Sequence, residues 1–169
     1  GVPGKGYYKI KLPDGKSILI IQAMLRLFMG ISLDDPFQKV SKILSSEILG
    51  KTNNFIFIDL HGEATSEKNA FAHYFDGQVT SILGTHTHVP TSDHRILEKG
   101  TAYQTDVGMM GDYNSVIGMD KKNTIHGFTM GFRLEGRFVP ANGKGRICGT
   151  FIESDDLTGL AKLIEPFQL

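Results

Sequence analysis

Three histidines, His61, His86 and His88, follow the ends of two apolar runs, residues 55–58 and 79–83. Neutral imidazole is a ligand for Zn, Fe, Mn and similar transition ions. In extended backbone, residues i and i+2 point the same way with Cα atoms roughly 6.5–7 Å apart. His86 and His88 are therefore expected to grip one ion together, or one each of two ions about 3.5–4 Å apart. A His-x-His tripeptide alone is a weak motif. Its placement adds weight, because ligands of open α/β sheets bind outside the carboxyl ends of the strands. If the two runs are neighbouring parallel strands, His61 joins His86 and His88 on one rim.

A two-metal site also needs carboxylates to bridge or support the ions. Asp59, Glu63, Asp93 and Asp106 lie nearby in sequence. Asp59 can orient His61 from behind or serve as a turn residue, and Asp106 is divided between bracing its loop and supporting the site. Glu63 and Glu67 read as helix-start electrostatics. His73 reads as a packing or surface residue, and His94 and His126 as solvated. Other chemistries fit less well. The sequence holds no Gly-x-Ser-x-Gly elbow, Cys148 sits within a strand pattern as an inert buried thiol, and residues 1–6 lack phosphate-loop spacing.

The elements that must position these residues follow from periodicity. Residues 7–12 and 17–24 are β-rich and joined by Pro13-Asp14-Gly15-Lys16, a turn sequence. Asp35 and Pro36 open a helix whose apolar stripe is Phe37, Val40, Ile43, Leu44 and Ile48, with Gly50 as its stop. Residues 55–58 form a strand buried on both faces, 64–76 a helix capped by Thr65 or Ser66, and 79–83 a second buried strand. That order is a βαβ unit. Residues 101–105 make another strand, and Asp120 caps a helix to about Met130. From there the period becomes two, and residues 132–139, 146–153 and 160–167 read as an antiparallel meander. The expected fold class is α/β, a single domain over residues 1–169 with a mixed sheet.

Composition narrows the partners. Eighteen Lys and Arg offset eighteen Asp and Glu among 169 residues, so no electrostatic footprint for nucleic acid or an anionic membrane is present. The longest apolar run, 18–29, is interrupted by Gln22 and Arg26, which removes a membrane-spanning helix. A lone cysteine fits a cytoplasmic location. The chain opens Gly1-Val2-Pro3-Gly4 without methionine, which reads as a processed product or a piece of a longer polypeptide.

The segments Asp59-Leu60-His61-Gly62-Glu63-Ala64-Thr65-Ser66-Glu67-Lys68 and Gly84-Thr85-His86-Thr87-His88-Val89 resemble the YmdB-like branch of the calcineurin-like metallophosphoesterases. So do Gly100-Thr101-Ala102-Tyr103, Thr105-Asp106-Val107-Gly108-Met109 and, ahead of the first helix, Ser32-Leu33-Asp34-Asp35-Pro36-Phe37. The resemblance implies a metallophosphoesterase-type α/β/β/α sandwich with mixed sheets, ending in an antiparallel meander. It also implies two divalent transition-metal ions (Fe, Mn or Zn) and a phosphodiester substrate such as a 2′,3′-cyclic nucleotide. His61 and His86 match ligands of one ion and His88 a ligand of the other.

Members of that family carry an upstream half that supplies an Asp ligand, the bridging carboxylate, an Asn ligand and a His near the leaving group. This chain matches from the family's middle onward. It is therefore expected to be the C-terminal portion of a longer domain, with a complementing N-terminal half or a homo-oligomer as partner. A non-catalytic remnant that binds metal weakly, or serves in association, is the alternative. A metal-dependent amidohydrolase also places His-x-His after a strand, but such barrels need roughly 200 residues or more.

Overall fold

The computed structural model describes residues 4–30, 32–132 and 138–169. Strands β1 (Tyr7–Lys11) and β2 (Ser17–Met24) form the expected hairpin, closed by Leu12 donating to the Lys16 carbonyl at 2.8 Å. Helix α1 (Pro36–Leu44) starts as read, with Asp35 Oδ1 accepting from the Phe37 and Gln38 amides. It ends before the expected Gly50. The Ser45 and Ser46 hydroxyls donate back to the Lys42 and Ile43 carbonyls, and the chain leaves the helix axis there.

Strand β3 (Phe55–His61) is three residues longer than the apolar run, so Asp59 and His61 lie within it rather than after it. Helix α2 (Thr65–Tyr74) is entered at Ala64, and neither Thr65 nor Ser66 is the cap. Strand β4 (Ser81–Thr85) runs parallel to β3, completing the βαβ unit. Strands β5 (Arg95–Ile96) and β6 (Ala102–Gln104) finish a six-stranded mixed sheet in the order β1-β2-β3-β4-β6-β5.

The second sheet contains β7 (Met110–Gly111), β8 (Arg146–Ser154) and β9 (Ala161–Gln168) in that order, antiparallel throughout. The meander therefore forms, but its first strand is β7. The expected strand 132–139 falls largely on residues 133–137, outside the described ones, and its described ends are not in a strand. Helix α3 (Lys121–Met130) lies between β7 and β8 in sequence, capped by Asp120 as expected, and none of its residues is buried.

Side-chain alternation along β3 builds the sandwich. Ile56, Ile58 and Leu60 are fully buried with Phe71 and Phe75 of the α2 region and Val40 of α1, the core between sheet and helices. Phe57 faces the other way, against Leu83, Ala102, Ala161 and Ile164 between the sheets. By the same alternation Asp59 and His61 share the face of Phe57, at its carboxyl end. Among the described residues no helix is long and apolar enough to cross a membrane.

Candidate metal centre at the carboxyl ends of β3 and β4

His61 ends β3 opposite Thr85, the last residue of β4. Its Nδ1 lies 2.9 Å from Thr85 Oγ1, and Thr85 Oγ1 donates to Asp59 Oδ1 at 2.9 Å. A hydroxyl has one proton, and here the carboxylate takes it. Thr85 must then accept from His61 Nδ1–H, which leaves the lone pair of the neutral imidazole on Nε2. Burial, and then the neighbouring His86, hold His61 below the usual imidazole range and favour that neutral form. Asp59 thus orients His61 through Thr85, not directly.

His61 Nε2 faces His86 Nδ1 at 3.2 Å, with the rings edge-on. Two imidazole nitrogens bound to one ion at roughly 2.0–2.1 Å stand about 2.9–3.4 Å apart for right-angled to tetrahedral geometry. The pair fits one transition ion on that measure. The other nitrogen of His86, Nε2, lies 2.8 Å from Glu63 Oε2, so Glu63 is part of the site rather than only helix-start charge.

His88 is placed differently. Neither His86 (φ 133°) nor His88 (φ 67°) has extended backbone, so the i, i+2 rule does not apply and the two side chains do not point the same way by alternation. His88 Nδ1 lies 2.8 Å from the Ile117 carbonyl, which accepts Nδ1–H and leaves Nε2 with the lone pair. That is the usual back-side support of a metal-ligating histidine. Among the described residues no group of three or more His, Cys, Asp and Glu side chains is arranged to hold one ion. The structure brings His61, His86 and Glu63 together and leaves His88 outside that contact.

The remaining acids brace the backbone. Glu67 accepts from the Arg26 and Leu27 amides, tying the loop after β2 to α2. Asp93 accepts from the hydroxyls of Thr91 and Thr105 and from the Thr105 amide. Asp106 is fully buried against Lys68 and accepts from the Thr87 and Gly108 amides, which resolves it as a brace of the histidine loop. Lys68 has no exposed surface and was not singled out by the sequence. The only local signal for it is its position in α2 on the face of Phe71 and Ala72.

His73 and His94 are exposed, as read. His126 is half-buried, its Nδ1 lying 3.0 Å from the Phe132 carbonyl, so it is not simply solvated. Cys148 is buried in β8. Beside His88 opens an apolar cavity of about 490 Å³ bounded by Ile117, Met119, Phe128, Phe132 and Phe138.

A mixed sheet packed on an antiparallel one is an architecture shared with solved structures. One, a hypothetical protein from Thermus thermophilus, superposes with TM-score 0.89 at 41% identity over 100% of this chain and 63% of that one. Another, described as a novel phosphatase from Mycoplasma pneumoniae, gives TM-score 0.87 at 34% identity over 98% of this chain and 57% of that one. In sequence, the chain is 46% identical over 165 residues to the 2′,3′-cyclic-nucleotide 2′-phosphodiesterase of Bacillus subtilis (strain 168), spanning 98% of this chain and 60% of that protein. The profile of the YmdB-like protein family matches residues 1–167, and the chain belongs to that family. That match runs along the whole chain, so it does not bear out the expectation that only a C-terminal portion is present. The chain nonetheless spans about 60% of the length of the curated relative it matches.

Proposed function

We propose that this chain furnishes histidine ligands to a metal-dependent phosphodiesterase site acting on 2′,3′-cyclic nucleotides or similar phosphodiesters. His61 and His86 hold one divalent transition ion and His88 contributes to a second. The further ligands come from a complementing segment of the same domain, and the location is cytoplasmic. The observation that carries the reading is the 3.2 Å approach of His61 Nε2 to His86 Nδ1, with the tautomer of His61 set by Thr85 and Asp59. The 46% identity to a cyclic-nucleotide phosphodiesterase supports the substrate class.

Divalent ions at such a site polarise a phosphodiester and activate water at neutral pH. The chain's own residues do the rest. The Asp59–Thr85 relay keeps the His61 lone pair aimed at the site, Glu63 stands at the far nitrogen of His86, and the Ile117 carbonyl turns His88. The apolar cavity beside His88 has room for the organic part of a nucleotide, and its Phe rings offer flat faces to a base.

The test compares hydrolysis of bis-p-nitrophenyl phosphate and 2′,3′-cAMP with Mn²⁺ by this chain and by a longer one carrying the relatives' upstream segment. The expected result is turnover only by the longer chain, abolished by His86→Ala. Turnover by the 169-residue chain alone that is lost in His86→Ala removes the need for a complementing segment. Inactivity of the longer chain with Mn²⁺, Fe²⁺ and Zn²⁺ overturns the enzyme reading in favour of an association role.

A further inference from the structure

Of the two histidines with positive φ, His86 has its backbone held by a buried ion pair. Lys68 Nζ donates to the Thr85 carbonyl at 3.0 Å and to Asp106 Oδ2 at 3.3 Å, and both side chains are wholly buried. Asp106 Oδ2 also accepts from the Thr87 amide at 2.9 Å. The pair therefore takes hold of the peptide groups on both sides of His86, a carbonyl at Thr85 and an N–H at Thr87. Asp106 is itself fixed, its Oδ1 accepting from Gly108 and its own amide donating to Thr91 Oγ1.

A φ of 133° at His86 is unfavourable for any residue with a Cβ, and such a conformation persists only where the surroundings over-determine it. A buried ion pair is weak evidence for stability, since apolar replacements of like volume often stabilise. Its position beneath a strained histidine points to another role. We propose that Lys68 and Asp106 are positioning residues, a clamp that holds His86 in the backbone conformation that points Nδ1 at His61 Nε2. The link to metal affinity rests on the function proposed above; the positional claim does not.

The test uses the 169-residue chain and the double variant Lys68→Met with Asp106→Leu, which replaces the pair by apolar side chains. Three readouts are taken: thermal unfolding, metal-free ¹⁵N imidazole spectra of His61 and His86, and Co²⁺ titration. The expected result is a folded variant melting at or above the parent, with the His61 and His86 ring-nitrogen signals moved and Co²⁺ affinity reduced about 10- to 100-fold. Unchanged ring-nitrogen signals in the folded variant overturn the clamp and leave the pair merely structural. Absence of Co²⁺ binding by the parent, with the signals still moved, retains the clamp and withdraws only its link to metal affinity in this chain. Should the variant not fold, hydrogen exchange in the parent decides. The clamp requires a Thr87 amide as protected as those of β4, and exchange at the rate of a free amide overturns it.

Discussion

Gly84 faces the carbonyl oxygen of Thr105 so closely that a Cβ at position 84 would overlap it. The Gly84 carbonyl in turn accepts from the Val107 amide at 2.9 Å, so β4 and the chain leaving β6 are stitched together just ahead of the histidine loop. Gly84 is thus selected for close approach of two backbones, since its φ is not positive. Gly84→Ala must push Thr105 aside, and with it the neighbouring Asp106. The expected cost is about 3 kcal/mol, the upper range for overpacking. Chemical denaturation measures it, and a loss below about 1 kcal/mol would show that the strand pair can part freely.

The Asp59–Thr85–His61 relay makes a second prediction. Thr85→Val keeps the shape of the side chain and removes the hydroxyl that both donates to Asp59 and accepts from His61. His61 is then free to place its proton on Nε2, the nitrogen facing His86. Divalent-metal affinity should fall about 10- to 100-fold while the fold is retained. Isothermal titration with Mn²⁺ on the longer chain, with and without Thr85→Val, decides it, and equal affinities remove the relay from the site.

Acid sensitivity follows from the same histidine. Burial and His86 lower the pKa of His61 below its ordinary 6.5 in the folded chain. As pH falls below 6.5, the unfolded chain takes up a proton before the folded one does. The stabilisation is therefore complete above 6.5 and is lost as pH drops through the lower folded value. The melting temperature should fall between neutral pH and about pH 5, and His61→Gln should flatten that part of the profile. Parallel melting curves for the two proteins across that range would refute it.

What the sequence disclosed and what it hid separate along physical lines. The buried strands, the βαβ unit and the cap at Asp35 rest on local patterns, and each formed within a few residues of its expected place. His61 and His86 met because parallel pairing of β3 and β4 sets their register, which the apolar runs already implied. The extended reading of residues 86–88 failed because the loop's conformation is imposed by Lys68 and Asp106, whose side chains reach it from two other parts of the chain. No local period reports such a pair, and Lys68 in isolation looks like a solvated helix residue. The two-residue strand β7 is likewise too short to carry an alternation, and β8 defines it by pairing.

The cavity beside His88 yields the last prediction. Phe128 is 82% exposed on a helix without buried residues. It lines the cavity together with Ile117, whose carbonyl also orients His88. If the base of a cyclic nucleotide rests there, Phe128→Ala removes ring contact made equally in the ground and transition states. KM for 2′,3′-cAMP should then rise about 10-fold with kcat unchanged, the signature of lost uniform binding. Bis-p-nitrophenyl phosphate serves poorly as a control because it too carries flat rings, so the comparison substrate is a cyclic phosphodiester of a simple diol. Hydrolysis of that compound should be indifferent to the substitution in the longer, active chain. Equal KM increases for both compounds would mean that Phe128 acts on the loop of His88 and not on the base.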